Sequence, residues 1–172
     1  SACQRIAAAL NAVRAEARTG KRAPATIRDV RAELDAMRLI KDPTEIATMR
    51  RAAEISSAAH MRAMRFTTPG RFEYEVEAEL LHEFRRQGCE YPAYTSIVAG
   101  GPNACVLHYV GNDQVLRDGD LLLIDAGGEL GGYASDITRS YPVNGRFSGP
   151  QADVYDMVLD AQTAAIAAVR RG

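Results

Sequence analysis

At 172 residues the chain has room for one ordinary domain, or for one domain and part of another. An apolar share of 47% beside 25% charged residues excludes a disordered chain, and no apolar run approaches the ~18 residues of a spanning helix. With 21 basic against 22 acidic residues, nothing marks a surface for nucleic acid or membrane. The balance shifts along the chain, however. Residues 1–65 hold 13 Lys and Arg against 7 Asp and Glu, and the remainder 8 against 15. An acidic second part suits a cation site, although solvated helix faces account for most such charges. Cys3, Cys89 and Cys105 are odd in number and lack metal-finger spacing, so they read as reduced thiols. The opening residues lack the pattern of a secretory signal, and a reducing cytoplasm is the expected compartment.

The first predicted element is a helix over about 4–18, with Ile6, Leu10, Val13 and Ala17 on one face and Thr19-Gly20 as its end. A loop follows near 22–26, then a segment over 27–40 expected to begin extended. Residues 1–38 read as a linker and the remnant of another domain. A sharper start comes at Asp42-Pro43-Thr44-Glu45, where an N-cap acid, a proline at the first helical position and an acid at N3 make a capping box. The helix it opens is expected to reach Arg65, with Ile46, Met49, Ala53 and Met64 as its apolar stripe. A second helix over about 71–87 turns Phe72, Val76, Leu80, Leu81 and Phe84 inward and Glu73, Glu77 and Glu83 toward water, and Gly88 stops it.

Beyond Tyr91 the texture changes to short extended runs broken by glycine: 96–99, 104–109, 121–126 and 133–143. Ser148 with Gln151 signals a last helix, striped by Val154, Val158, Ala161 and Ala165. Two helices, a sheet and a final helix argue an α+β fold with helices packed on one face of a mainly antiparallel sheet.

The chemically loudest segment is Leu121-Leu122-Leu123-Ile124-Asp125-Ala126-Gly127, followed by a glycine-rich turn and then Ser135-Asp136-Ile137-Thr138-Arg139. A hairpin centred on Leu130 and Gly131 would set Asp125 opposite Asp136 on one face and Ile124 opposite Ile137 on the other. Opposed carboxylates destabilise a sheet unless a cation lies between them. A divalent ion resolves the conflict, because hard carboxylate oxygens ligate it and one carboxylate can bridge two ions. Spacing alone leaves open a shifted register in which the acids never meet, or an Asp that only solvates a turn.

These segments, together with Tyr91-Pro92-Ala93-Tyr94, Ile97-Val98-Ala99-Gly100-Gly101, Leu107-His108-Tyr109, Arg139-Ser140-Tyr141-Pro142-Val143-Asn144-Gly145 and residues 151–162, resemble the pita-bread metallopeptidases. Within them the wording is most similar to the Xaa-Pro aminopeptidases, or aminopeptidase P group, over about 39–172. Methionine aminopeptidases share the two-aspartate hairpin but not its continuation, and prolidases are the nearer alternative.

The resemblance implies that 39–172 form the N-terminal half of a pita-bread catalytic domain. The whole protein would release the first residue from peptides with proline second. It also implies two divalent ions, commonly Mn(II), with Asp125 chelating one and Asp136 bridging both. His108 would touch the substrate and assist at the reacting carbonyl or leaving nitrogen, and Tyr94 would line the substrate cleft. By themselves His108 in its apolar run reads as a core histidine and Tyr94 as ordinary packing; His60 and His82 also read as helix residues without a site role.

The family's other ligands, a histidine and two glutamates, have no match here. No His follows His108, and Asp153, Asp156 and Asp160 belong to the last helix. The expectation is therefore a truncated chain that binds metal weakly or not at all and is inactive or nearly so alone. The alternative is a non-catalytic binding or interaction module. Half of such a sheet leaves an uncovered edge and face, which predicts a homo-oligomer.

Overall fold

The computed structural model describes residues 2–170. The chain divides into two compact units, 1–41 and 42–172. In the first, helix α1 (Ala2–Ala15) is followed by a single 3-10 turn (Ala17–Thr19), and helix α2 spans Arg31–Leu39. Residues 31–39 are thus helical where the sequence reading began the segment extended. The Asp29 carboxylate accepts from the Arg31 backbone N–H at 3.0 Å and so supplies a local acceptor at the helix start.

The second unit opens with helix α3 (Pro43–Phe66), and its capping box forms as the sequence requires. Asp42 Oδ1 accepts from the Thr44 and Glu45 amides at 2.7 and 2.9 Å, and Glu45 accepts from the Asp42 amide at 2.7 Å. Helix α4 (Glu73–Arg86) follows and ends at Gly88, whose φ of 104° is open to glycine.

Six strands come next: β1 (Tyr91–Pro92), β2 (Ile97–Gly100), β3 (Leu121–Ala126), β4 (Gly128–Leu130), β5 (Tyr133–Ala134) and β6 (Ile137–Pro142). All pairings are antiparallel, in the orders β1-β4-β5 and β2-β3-β6. Helix α5 (Gly149–Ala168) closes the order, with Gln151 accepting from the Ser148 amide at 2.9 Å.

Alternation along β3 decides which face is core. Leu122, Ile124 and Ala126 are fully buried and join Ile55, Ala59 and Ala63 of α3 and Val76, Leu80 and Phe84 of α4. Asp125 therefore points away from the helices. This is the α+β arrangement expected, with α3 and α4 on one sheet face.

Five details depart from the sequence reading. The buried face of α3 is Ala52, Ile55, Ser56, Ala59, His60 and Ala63, whereas Ile46, Met49, Ala53 and Met64 face outward. A stripe of mostly small residues lets the helix lie close to the sheet, which outweighs the larger side chains on its other face. Glu73 and Glu83 of α4 are buried rather than solvated. Glu83 holds Arg86 at 2.6 and 3.0 Å and Gln87 at 2.6 Å, and the Arg86 guanidinium beside it keeps its carboxyl below the ordinary range.

Residues 104–109 form no strand; a 3-10 turn (Gly101–Cys105) leads into an irregular loop. Residues 128–130, read as turn, are strand β4. Finally, Val154 and Val158 of α5 are exposed, and no described residue of that helix is buried. Among the described residues no helix is long and apolar enough to cross a membrane, and the three cysteines are free thiols.

Candidate metal centre

The two aspartates reach one face through a tight hairpin. Its turn is Gly131-Gly132, with φ of 57° and 81°, flanked by the pair Leu130 and Tyr133. A two-residue turn of this kind needs positive φ at both central positions, and two glycines meet that need without strain. The centre therefore lies one residue later than the sequence reading placed it. As a result Asp125 pairs with Thr138 and Ile124 with Arg139, while Ile137 lies opposite Ala126. Asp125 and Asp136 are diagonal neighbours instead of a direct pair. Sliding the register by two leaves the face unchanged, because side chains alternate with period two, and both acids still emerge on the side away from the helices.

Tyr94 shows how closely they converge. Its hydroxyl lies 2.5 Å from Asp125 Oδ1 and 3.0 Å from Asp136 Oδ1, so one oxygen stands within bonding distance of both carboxylates. Strand β1 delivers it: Tyr91 and Pro92 pair with Glu129 and Gly128, and the Ala93 amide donates to Gly127 O at 2.8 Å. Burial first, and then the two acids, push the Tyr94 phenol well above its ordinary value, so it stays a donor. A single hydroxyl proton cannot neutralise two carboxylates. No ion pair among the described residues reaches either acid.

Behind the acids, buried polar groups hold the hairpin. Ser135 Oγ donates to Gly128 O at 2.8 Å, so the 2.7 Å contact between Ser56 and Ser135 is a bond donated by Ser56. Ser56 Oγ in turn accepts from the Gly128 amide at 2.9 Å. Each hydroxyl thus spends its one proton and the group is closed. His60 Nε2 donates to Ala126 O at 3.0 Å, which leaves Nδ1 as a buried acceptor without a partner among the described residues. Burial holds this imidazole below its ordinary value, so it is neutral.

At Gly127 the strands touch: a Cβ there would lie 1.8 Å from Ser135 O. Sequence reasoning missed Ser56, Ser135 and His60, because nothing local links residues of α3 to a hairpin some seventy positions later. It named Tyr94, but as a cleft residue and not as the donor between the acids.

His108 is exposed, in the loop between β2 and β3, with φ of 54°. It is not the core histidine that its apolar neighbours suggest, since Val106 and Leu107 are exposed with it. No hydrogen bond among the described residues joins it to the aspartates. The donor chemistry of Asp125 and Asp136 fits a hard divalent cation, but as part of a coordination shell. Among the described residues no group of three or more His, Cys, Asp or Glu could hold a metal ion.

Residues 47–172 match metallopeptidase family M24. The chain is 56% identical over 140 residues to the Xaa-Pro aminopeptidase of Haemophilus influenzae, covering 81% of this chain and 33% of that protein. The structure of proline aminopeptidase P II from Yersinia pestis superposes with a TM-score of 0.92 at 54% identity, covering 99% of this chain and 39% of that one. A zinc-substituted aminopeptidase P of Escherichia coli in complex with product gives a TM-score of 0.90 at 49% identity over 97% of this chain and 38% of that one. The chain thus spans between a third and two-fifths of the length of these three relatives.

Proposed function

This chain belongs to metallopeptidase family M24, and we propose that it supplies the two-aspartate side of a metal centre in a protein that removes the first residue from peptides with proline second. The observation that carries this reading is the convergence of Asp125 and Asp136 on the Tyr94 hydroxyl. Two carboxylates held that close, with no Lys or Arg among the described residues paired to them, form a strongly cation-seeking face. In this reading Asp125 and Asp136 would hold the divalent ions through their carboxylate oxygens, with Mn(II) as the metal. The remaining ligands come from the portion of the relatives' length that this chain does not span. The bound ions would supply Lewis acidity, acidifying a water and polarising the scissile carbonyl.

The chain's own residues have separate tasks. Tyr94 holds the carboxylates at a fixed separation and lines the cleft. His108, exposed on its loop, contacts the substrate beside the scissile bond. Proline makes that contact matter: its ring nitrogen has no hydrogen, so the bond is a tertiary amide and the leaving nitrogen must gain a proton. We place the protein in the cytoplasm and infer that it self-associates.

The test is release of the first residue from Xaa-Pro peptides by the whole protein with Mn(II). Cleavage of Xaa-Pro dipeptides alone would favour a prolidase, and action only on N-terminal methionine would remove the proline reading. For the 172-residue chain alone, the lack of a third ligating side chain beside the two acids among the described residues favours a second reading, a binding module without catalysis. Calorimetric titration with Mn(II) decides: weak or undetectable binding is expected, and tight stoichiometric binding would contradict it.

A further inference from the structure

Glu73 takes no part in the site described above, yet its carboxylate is fully buried and saturated with donors. Oε1 accepts from the Gly100 amide at 2.8 Å and from Asn103 Nδ2 at 3.0 Å. Oε2 accepts from the Tyr109 hydroxyl at 2.8 Å and from the Gln114 amide at 3.1 Å. All four donors lie in one segment, 100–114, which leaves β2, carries His108 and returns toward β3. The Glu73 amide also donates to Gln114 O at 3.0 Å, so the acid and the end of the loop hold each other.

A buried carboxylate is costly unless fully hydrogen-bonded, and bonds to a charged acceptor are about twice as strong as neutral ones. A fully satisfied acid at this place therefore fixes the loop firmly at its base. Asn112 adds a second anchor, with Oδ1 accepting from the Val98 amide at 3.0 Å and Nδ2 donating to Ser96 O at 2.9 Å. The tip is left outward, with Leu107 86% exposed and His108 beside it at positive φ. Tyr109, the next residue, is tied back to Glu73, and this sets the direction in which the chain leaves His108.

We propose that Glu73 is a positioning residue, whose buried carboxylate holds the 100–114 loop so that His108 meets the substrate. The proposal rests on the reading of His108 as a substrate-contacting group. It predicts that the two residues act as one unit. Glu73→Gln keeps the size but replaces one acceptor oxygen with an NH₂ group facing donors, so part of the cradle must open.

In the whole protein with Mn(II), kcat/KM on an Xaa-Pro peptide is measured for Glu73→Gln, His108→Ala and the double variant. His108→Ala should lose about 100-fold, and Glu73→Gln about 10- to 100-fold, as expected when a reacting contact is misplaced. The double variant should fall no further than His108→Ala alone. Losses that multiply, or a Glu73→Gln enzyme of full activity, overturn the proposal while leaving the role of His108 standing. A fully active His108→Ala enzyme overturns both. Tyr109→Phe removes a single donor and keeps the ring; it should lose about threefold to tenfold, again only while His108 is present, and it decides the matter if Glu73→Gln does not fold. Amide hydrogen exchange should quicken at Gly100 and Gln114 in Glu73→Gln and stay unchanged in β3; unchanged exchange at those two amides counts against the cradle.

Discussion

Replacing Gly127 with alanine tests whether the contact between the two aspartate strands is as tight as the fold implies. The residue's φ lies outside the left-handed region, so alanine's backbone preferences add no cost. The new methyl would sit 1.8 Å from Ser135 O, 2.5 Å from Ser135 C and 3.1 Å from the Asp136 amide nitrogen. Side-chain carbons essentially never approach within 3.0 Å, so the strand carrying Asp136 must retreat by more than an ångström.

That movement breaks bonds that now have ordinary lengths. The Ser135 amide reaches Gly128 O at 3.1 Å, the Ser135 hydroxyl reaches it at 2.8 Å, and Ser56 reaches Ser135 at 2.7 Å. Each is worth about 1 kcal/mol net, and more if a buried partner is stranded. Against this, alanine lowers the entropy of the unfolded chain by about 0.4 to 1 kcal/mol. The net expectation is a loss of about 2 to 3 kcal/mol, a large share of a typical domain's stability. Urea unfolding of the 172-residue chain followed by circular dichroism measures it. Gly149→Ala is the control, because nothing lies within 4 Å of its added Cβ. If Gly127→Ala unfolds within about 0.5 kcal/mol of the parent, the hairpin can open freely there and the argument for a fixed pair of acids fails.

Acid should weaken the fold through His60. Burial depresses its pKa below the ordinary value of 6.5, so the unfolded chain binds a proton that the folded chain refuses. Its contribution is complete above the unfolded value and is lost as pH falls toward the depressed one. The thermal midpoint should drop between about pH 7 and about pH 5, and drop less in His60→Gln; equal drops would assign the effect elsewhere. Asp136→Asn in a metal-free buffer relieves one of two facing charges and should raise stability by up to about 1 kcal/mol in urea titrations, with a fall contradicting the charge argument. Val154, Met157, Val158 and Ile166 of α5 are all more than half exposed, so light scattering should show the chain self-associating and Val158→Asp reducing it; a monomer at high concentration in the parent refutes this.

What the sequence revealed was what short-range chemistry controls. Asp42, Pro43 and Glu45 act on amides within three residues, so their capping box was readable and its bonds are present. The shared face of the two acids was readable too, since a register error of two residues preserves it. The error came from the turn. Gly131 and Gly132 both carry positive φ, and the glycine-rich segment 127–132, which also holds the pair Gly127-Gly128, does not say which pair will do so. Glu73 and Glu83 were misread because an acid on an amphipathic helix is ordinarily solvated, while their donors come from a loop some thirty residues on for Glu73 and from a helix terminus for Glu83. The buried stripe of α3 was hidden for a related reason. Apolar size pointed to Ile46 and Met49, and close approach to the sheet chose Ala52, Ala59 and Ala63 instead.

The polar residues of that stripe explain how the fold can hold two acids steady from the opposite side of a sheet. Because strand residues alternate, the neighbour of an outward acid always faces the helices. Ala126 follows Asp125, and its carbonyl is held by His60. Ser135 precedes Asp136, and its hydroxyl is held by Ser56. His60 and Ser56 lie four positions apart on α3, one helical turn, so a single helix face fixes the backbone next to each acid. Two polar side chains placed in a core are a cost that apolar packing would avoid. Their position, one residue from each carboxylate, makes α3 a brace for the backbone beside both acids.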